Sequence, residues 1–307
     1  MRRGFTAVEL LVCITVVGAI LAITLPAVQS AREAARMVEC KNRVQQITLA
    51  SLNFHDTHKH FPREGQRFGS LLPYVDQQNM YDALDLSNRY TDPDYEPTAD
   101  AGSGSGFVTT FVCPSGGDDP ARYEFSYAAS QGSLPRNAVY DDKSAVFAVA
   151  NGVADTHFRR GGKVTMQSVY DGASNTVFYA ERRPIQAGER SWTADVVGLT
   201  AMRLATAANA ATDFEIAENH KRRRFDDVHN SDYMHIVGPN GRACWFRNAN
   251  GNYTDPALSY HTGGMNVSRV DGSVSFVSDE IDTKVWQDLG SRDQRIEQPL
   301  LKLWDGK

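Results

Sequence analysis

The sequence predicts an α+β fold in which one long N-terminal helix, membrane-spanning in its first half, packs on an antiparallel β-rich domain. Three observations lead to this prediction. A run without any charged residue extends from Leu10 to Val28. Sequence free of proline and glycine then continues from Ala27 to Phe54. Beyond about residue 107, short β-like segments alternate with glycine-containing turns.

The apolar run has the length that a single transmembrane helix requires, about 20 residues. A cleaved secretory signal would have an apolar core of about 7–15 residues and then a small-residue cleavage site, whereas here helical sequence continues. Arg2 and Arg3 precede the run and favour a cytoplasmic N-terminus. We therefore expect residues 5–28 to span the membrane once, with the later residues outside the cytoplasm.

The helix is expected to continue over residues 29–60 and to bury one stripe. Six residues recur at alternating spacings of three and four, which places them on one helical face: Met37, Cys40, Val44, Ile47, Ser51 and Phe54. Charged residues fall mainly on other faces, as a solvated surface requires: Arg32, Glu33, Arg36, Glu39, Lys41 and Arg43. A globular domain of residues 61–307 is predicted to pack against the stripe.

Within that domain, the clearest prediction is a hairpin. Residues 266–270 and 274–278 flank Asp271-Gly272, which is a strong two-residue turn signal. Residues 91–106 are rich in proline, glycine, serine and acidic residues and are predicted to form a solvated loop. Further strands are predicted at 107–112, 144–149 and 177–180, and short helices at 76–84 and 201–211.

Composition and motifs give no support to several classes of function. The formal net charge of −5 over 307 residues gives no reason to expect a nucleic-acid partner. The basic run at 221–224 is followed at once by Phe225-Asp226-Asp227 and is predicted to be a solvated loop. The sequence contains no P-loop, G-x-S-x-G, H-E-x-x-H or G-x-G-x-x-G pattern. No enzymatic activity is therefore expected.

Four cysteines occur: Cys13, Cys40, Cys113 and Cys244. No C-x-x-C spacing is present, which weighs against zinc or thioredoxin-like chemistry. An outward-facing domain permits disulfides, and we predict a bridge between Cys40 and Cys113. A free, buried Cys40 that acts as a small apolar residue is the alternative.

Two sets of residues that include histidine are candidate ligands. His55, His58 and His60 crowd the end of the long helix, where they interact favourably with its dipole, and a zinc site there would need further ligands. His261 with Asp271 could form a ligand or metal site. Because turn chemistry alone explains Asp271-Gly272, we favour a structural role for this pair, with His261 capping the preceding loop.

The segment Gly4-Phe5-Thr6-Ala7-Val8-Glu9 resembles the type IV prepilin cleavage motif of pilins and type II secretion pseudopilins. The resemblance implies that residues 1–4 are a leader, which a prepilin peptidase removes after Gly4, and that the new amine of Phe5 is methylated. It also implies that Glu9 pairs with that amine of a neighbouring subunit. Pro26 resembles the helix-kinking proline of these families, whereas Ala7 replaces their usual leucine.

The position of Glu9 has a physical consequence. A charged side chain in a membrane helix costs least near the interface and roughly 2.5–3.5 kcal/mol at the centre. If Glu9 meets the Phe5 ammonium of a neighbour, the pair forms only on assembly and sets the register, as buried polar groups do in coiled coils. The implied partners are like or related pilin subunits and the inner-membrane secretion machinery. The implied location is the bacterial inner membrane, with exposure at the cell surface after assembly as a further option.

A second resemblance covers nearly the whole chain, from Gly4 to about Gly290. His261, nine intervening residues and Asp271-Gly272 resemble the H-X9-DG element of a bacterial family that combines a prepilin-type N-terminus with a DUF1559 domain. Three other segments look like internal motifs of that family: 53–56 ahead of Phe61-Pro62, 111–115 and 171–176.

Two functions follow from these resemblances. The first is a pilin- or pseudopilin-like structural subunit of a type II secretion or type IV pilus-like assembly. The second is a membrane-tethered module that binds a carbohydrate or another ligand and uses the helix only as an anchor. Because major pseudopilins carry calcium in a C-terminal loop, Asp226, Asp227 and Asp232 are weak calcium candidates, although no EF-hand-like pattern occurs. No other cofactor is expected.

Overall fold

A single helix of 52 residues, α1 (Ala7–His58), dominates the computed structural model. It begins at Thr6, whose side chain forms a capping box with Glu9, and it ends at Lys59, which adopts a left-handed conformation. Pro26 lies inside the helix. The structure describes residues 6–62, 67–83, 108–116, 126–133, 152–153, 163–183, 190–191, 232–235, 238–241, 243–245, 253–254 and 256–294.

The N-terminal half of α1 projects its apolar side chains away from the rest of the chain. Large aliphatic residues from Val8 to Val28 are at least half exposed. By length and composition the helix could cross a membrane, and none of its most apolar 18-residue stretch is buried. This half of α1 is therefore consistent with a single-pass membrane anchor.

The C-terminal half of α1 buries the predicted stripe, with Met37 at its half-buried margin. The buried residues of the helix all lie in this half: Cys40, Val44, Ile47, Thr48, Ala50, Ser51 and Phe54. The charged residues lie mainly on exposed faces, as predicted, with Glu33 and Arg43 as exceptions. Both are partly buried. The Arg43 guanidinium donates to the Val112 carbonyl. Glu33 contacts Ser115 and His261 of the globular domain of residues 61–307, which we call the head.

The head is built on an antiparallel sheet, so the predicted α+β fold, with the helix packed on the sheet, is confirmed. Its strands are β1 (Tyr127–Ser130), β2 (Val177–Glu181), β4 (Asp232–Tyr233), β7 (Gly264–Arg269) and β8 (Val274–Ser278). Their order in the sheet is β4-β1-β2-β7-β8, and β4 alone runs parallel to its neighbour, β1. A second, three-stranded sheet contains β3 (Arg190–Ser191), β5 (Ala243–Trp245) and β6 (Tyr253–Thr254).

Polar contacts as well as apolar packing join α1 to this sheet. The Thr48 hydroxyl donates to Ser268 Oγ of β7 at 2.6 Å. Ser51 Oγ lies 2.8 Å from the Tyr179 hydroxyl of β2. Both pairs are buried, where an unsatisfied hydroxyl would cost free energy, so they fix the position of the helix along the sheet.

The predicted hairpin is confirmed, with Asn266 opposite Phe276 in the β7–β8 ladder. Gly272 has a φ of +88°, a conformation that favours glycine. Asp271 Oδ1 accepts the Ser273 backbone N–H at 2.9 Å. The turn chemistry of Asp271-Gly272 thus has the structural role that the sequence indicates.

The strands predicted in two other described segments have different outcomes. The strand at 177–180 is confirmed, but the strand at 107–112 is wrong, since Thr109–Phe111 is a 3₁₀ helix. Phe111 is fully buried, so its packing on the core decides the local backbone over β propensity. The segments at 91–106, 144–149 and 201–211 lie outside the described residues.

Short helices complete the described part of the head. They are α2 (Arg67–Leu71), α3 (Gln78–Ala83) and α4 (Thr283–Gly290), with 3₁₀ helices at Leu72–Val75, Pro114–Gly116 and Met166–Ser168. The helix predicted at 76–84 corresponds to α3. Helical structure in this part of the chain already begins at Arg67, the first residue of α2. Asp282 caps α4 by accepting the Lys284 and Val285 N–H groups.

His235 is fully buried against α4. Its ring stacks on Trp286 with centroids 4.0 Å apart. Nδ1 lies 2.8 Å from the Trp286 carbonyl oxygen, and Nε2 lies 2.7 Å from the Tyr233 hydroxyl. Complete burial, opposed by the bond to the Trp286 carbonyl, lowers the pKa of His235 to about 3. The imidazole is therefore neutral in the folded chain at physiological pH.

We expect the stability of the head to fall as the pH drops from about 6.5 towards 3. In that window the unfolded chain binds a proton at His235 and the folded chain does not, so unfolding is favoured by about 1.4 kcal/mol per pH unit from this group. The His235→Gln variant removes this contribution. Urea denaturation across the window should give a smaller pH slope for the variant, and parallel profiles would contradict the assignment.

Candidate functional site

Four buried side chains meet where α1, β2 and the loop before β7 converge. Cys40 comes from α1, Cys113 from the turn between two 3₁₀ helices, Glu181 from the end of β2 and His261 from the loop before β7. One donor atom from each lies within 4.8 Å of every other. We call these four residues the Cys–His–Glu cluster.

The two sulfur atoms of the cluster form a disulfide. Cys40 and Cys113 are separated by 73 positions, and their Cα atoms lie 5.2 Å apart, a separation usual for disulfides. The bridge joins α1 to the segment around Cys113, as predicted. Cys13 is a free, exposed cysteine in the apolar half of α1, and Cys244 belongs to β5.

His261 links α1 to the sheet through its two ring nitrogens. Nδ1 lies 2.8 Å from Glu33 Oε1, while Nε2 lies 3.5 Å from Glu181 Oε1 and 3.8 Å from Cys113 Sγ. The side chain is fully buried. Its backbone N–H donates to Ser259 Oγ at 2.9 Å, so both the loop and the ring are fixed.

Glu181 is a buried carboxylate whose two oxygens are both occupied. Oε1 accepts Asn266 Nδ2–H at 2.7 Å, and Oε2 accepts the Ser259 hydroxyl. Burial raises the pKa of Glu181, against the opposing effects of Ser259, His261 and Asn266. Ser259 and Asn266, both neutral donors, hold this carboxyl group in place.

The pKa of Glu33 shifts in the opposite direction to that of Glu181. Partial burial raises the pKa of its carboxyl, but hydrogen bonds from His261 and Ser115 oppose this, and the net pKa is lowered. Ser115 Oγ donates to the same Oε1 at 3.2 Å. The imidazole therefore lies between an ionised carboxylate at the rim and a buried carboxyl inside.

The structure does not bring His261 and Asp271 together. They flank β7 at its two ends, and six residues of strand extend about 20 Å. Asp271 is exposed at the hairpin turn, whereas His261 is buried. The idea of one site that uses both residues is wrong, because the spacing of the H-X9-DG element corresponds to one strand and its flanking turns.

The three histidines at the end of α1 do not converge on one point. His55 Nε2 accepts the Met166 N–H at 3.1 Å, and His58 stacks on Phe54. His60 Nδ1 lies 2.8 Å from the Phe61 carbonyl oxygen. These contacts support a packing role at the helix end.

At the other end of α1, Glu9 makes hydrogen bonds within its own chain. The N–H and the hydroxyl of Thr6 donate to Oε2 at 2.9 and 2.8 Å, which forms the capping box. Gly4 and Phe5 lie outside the described residues, so the cleavage site has no described geometry. Of the calcium candidates, Asp226 and Asp227 also lie outside them, and Asp232 belongs to β4.

Sequence reasoning missed Glu33 and Glu181 as members of this site. Glu33 precedes Met37 by four residues and Cys40 by seven, so the buried stripe could have been extended by one turn to include it. Glu181 follows the predicted strand directly. No local pattern links it to His261, which lies 80 positions later.

Comparison with known proteins identifies the family. The family described as a protein of unknown function, DUF1559, matches residues 29–284. No curated protein and no solved structure matches the chain. The match covers the C-terminal half of α1 and most of the head, including every residue of the Cys–His–Glu cluster. The chain therefore belongs to the DUF1559 family.

Proposed function

We propose that this protein is a pilin- or pseudopilin-like structural subunit of a type II secretion or type IV pilus-like assembly. Membership of DUF1559 and the long apolar N-terminal helix fit a membrane-anchored, pilin-like protein. The strongest support for the proposal is the difference between the two halves of α1. A single helix is exposed and apolar in its first half and forms the spine of the head in its second half. Lipid or the helices of other subunits would cover the first half.

Processing and assembly would both depend on the first residues. A prepilin peptidase would cut after Gly4 and leave a free amine on Phe5, one residue before the helix cap. Among the described residues of the single chain, Glu9 accepts hydrogen bonds from the neutral donors of Thr6 alone. A neighbour's ammonium would supply a charge-assisted bond, which is roughly twice as strong as a neutral one. Assembly would then satisfy Glu9 better than the isolated chain does.

The Glu9→Val variant is expected to insert in the membrane and fold but to fail in assembly. Loss of a charged hydrogen bond of about 1.5–3 kcal/mol lowers the association constant roughly 10- to 100-fold. Chemical cross-linking in membranes, followed by denaturing electrophoresis, measures the oligomers. Glu280→Val, at an exposed position after β8, is the matched control and should assemble as the wild type does.

A different outcome would favour the second function. If Glu9→Val leaves the cross-linked species unchanged, the helix serves only as an anchor, and a membrane-tethered binding module becomes the better description. If Glu9→Val and Glu280→Val both lose the oligomers, the contacts of the head dominate assembly and the proposed role of Glu9 is wrong.

A further inference from the structure

The Cys–His–Glu cluster contains the donor set of a transition-metal site. Two cysteines, one histidine and one carboxylate are ligands that Zn²⁺ takes in tetrahedral geometry. At usual Zn–S and Zn–N distances, tetrahedral ligand atoms lie about 3.3–3.8 Å apart. Nε2 of His261 lies 3.8 Å from Cys113 Sγ and 3.5 Å from Glu181 Oε1. These two spacings from His261 Nε2 fit a coordination sphere, and the two sulfur atoms, bonded to each other in the disulfide, would move apart once that bond is reduced.

The residues around the cluster orient its side chains for metal binding. Nδ1 faces Glu33 Oε1 at 2.8 Å, so a ring with its proton on Nδ1 would donate to that carboxylate and present the Nε2 lone pair to Cys113 and Glu181. Carboxylate–histidine–zinc arrangements have this form and raise the basicity of the ligand. Ser259 and Asn266 hold the Glu181 carboxylate. All four candidate ligands are buried, which would exclude competing water.

We propose that the dithiol form of this protein binds one zinc-like ion through Cys40, Cys113, His261 and Glu181. Thiolate, not disulfide, is the sulfur species that binds metal, so the Cys40–Cys113 bridge and the ion exclude each other. A newly made chain has both thiols, and no reductant is needed to generate them. Binding displaces the two thiol protons. The divalent ion then offsets two of the three negative charges that the two thiolates and the Glu181 carboxylate carry.

Formation of the disulfide would release the ion. A small-molecule disulfide oxidant would accept two electrons from the thiolates, so the Cys40–Cys113 bond forms and the bond of the oxidant breaks. The oxidant takes up two protons and leaves as two thiols, while Zn²⁺ departs. The cluster is thus a redox-controlled metal site that joins α1 to the head in both states, by an ion or by a covalent bond. This inference does not depend on assembly.

The test uses the full chain in detergent with Cys13→Ser and Cys244→Ser, so that only the two cluster cysteines remain. After reduction with a phosphine and its removal without oxygen, Co²⁺ is added as a spectroscopic probe. We expect one Co²⁺ per chain, with thiolate charge-transfer absorption and tetrahedral d–d bands, and displacement by Zn²⁺. The same chain with its disulfide intact should show none of these bands. Zn²⁺ should also raise the melting temperature of the reduced chain only.

Variants separate a built site from thiols that bind metal alone. His261→Asn should abolish the tetrahedral spectrum, and Glu181→Gln should weaken Co²⁺ binding. Glu33→Gln should weaken it roughly 10- to 100-fold through the loss of support for His261. Glu280→Gln, at an exposed glutamate remote from the cluster in sequence and outside its contacts, is the control and should leave the affinity unchanged.

Three results would overturn the proposal. The first is a reduced, folded chain that binds Co²⁺ no better than the oxidised chain. The second is a thiolate spectrum that persists unchanged in both His261→Asn and Glu181→Gln, because that would indicate binding by the cysteines alone. The third is a reduced chain that loses its circular dichroism and does not regain it with Zn²⁺.

Discussion

Replacing Cys113 with alanine is expected to lower the free energy of unfolding of the head by about 4 kcal/mol. The bridge closes a loop whose ends are 73 positions apart, and the chain-entropy relation gives about 4 kcal/mol for a loop of that length. Urea denaturation in detergent, followed by tryptophan fluorescence and with a chelator present, measures the change. Cys40→Ala should cost a similar amount.

The Cys40→Ala and Cys113→Ala substitutions remove the same disulfide bond. Because both substitutions remove one bond, the Cys40→Ala/Cys113→Ala double variant should be about as stable as either single variant. Cys13→Ala is the control, since this cysteine is free and exposed, and it should leave the head unchanged. A loss below about 1 kcal/mol for Cys113→Ala, or additive losses in the double variant, would show that the bridge does not stabilise the head.

Replacing Ile47 with alanine is expected to destabilise the head by about 2–5 kcal/mol. Ile47 is fully buried on the face of α1 that packs on the sheet, so the substitution loses transfer free energy and leaves a cavity. The matched control is Leu49→Ala, two positions along the same helix, where the side chain is 47% exposed. Urea denaturation should show a loss of less than about 1 kcal/mol for the control.

The comparison of Ile47 and Leu49 tests whether the second half of α1 is a core element of the head. If Ile47→Ala and Leu49→Ala lowered the free energy of unfolding equally, the stability of the head would not depend on packing against the Ile47 face of the helix. A head that stays as stable in Ile47→Ala as in the wild type would contradict the described fold directly.

The periodic part of the fold could be predicted from sequence because packing follows from local pattern there. Spacings of three and four from Cys40 to Phe54 fix one face of a helix whichever partner covers it. The β7–β8 hairpin follows from Asp271-Gly272 in the same way, since a tight turn demands that chemistry. Both predictions rest on neighbours in sequence.

The 107–112 segment shows where local pattern fails. Its β-branched and aromatic residues favour a strand, yet Thr109–Phe111 forms a 3₁₀ helix. The Cys40–Cys113 bridge follows directly after it, and Phe111 is buried in the core. Tertiary packing therefore overrides a weak preference that itself depends on context.

The candidate site could be predicted only in part for a related reason. The pairing of Cys40 with Cys113 could be predicted, because the buried stripe and the expected location outside the cytoplasm limit the choices. Glu181 and His261 reach the same point through separate strands and loops, and no spacing in the sequence encodes their contact. The absence of C-x-x-C weighs against a compact zinc motif, but it says nothing about ligands that the fold assembles from distant segments.

The most direct test of the proposed membrane subunit is the mass of its mature N-terminus. Protein purified from native membranes should begin at Phe5, carry one methyl group on the amine and lack residues 1–4. Tandem mass spectrometry of the N-terminal peptide distinguishes this form from the unprocessed chain. Recovery of the peptide with Gly4 and the preceding residues still attached would contradict the proposed processing, and with it the assembly through Phe5 and Glu9.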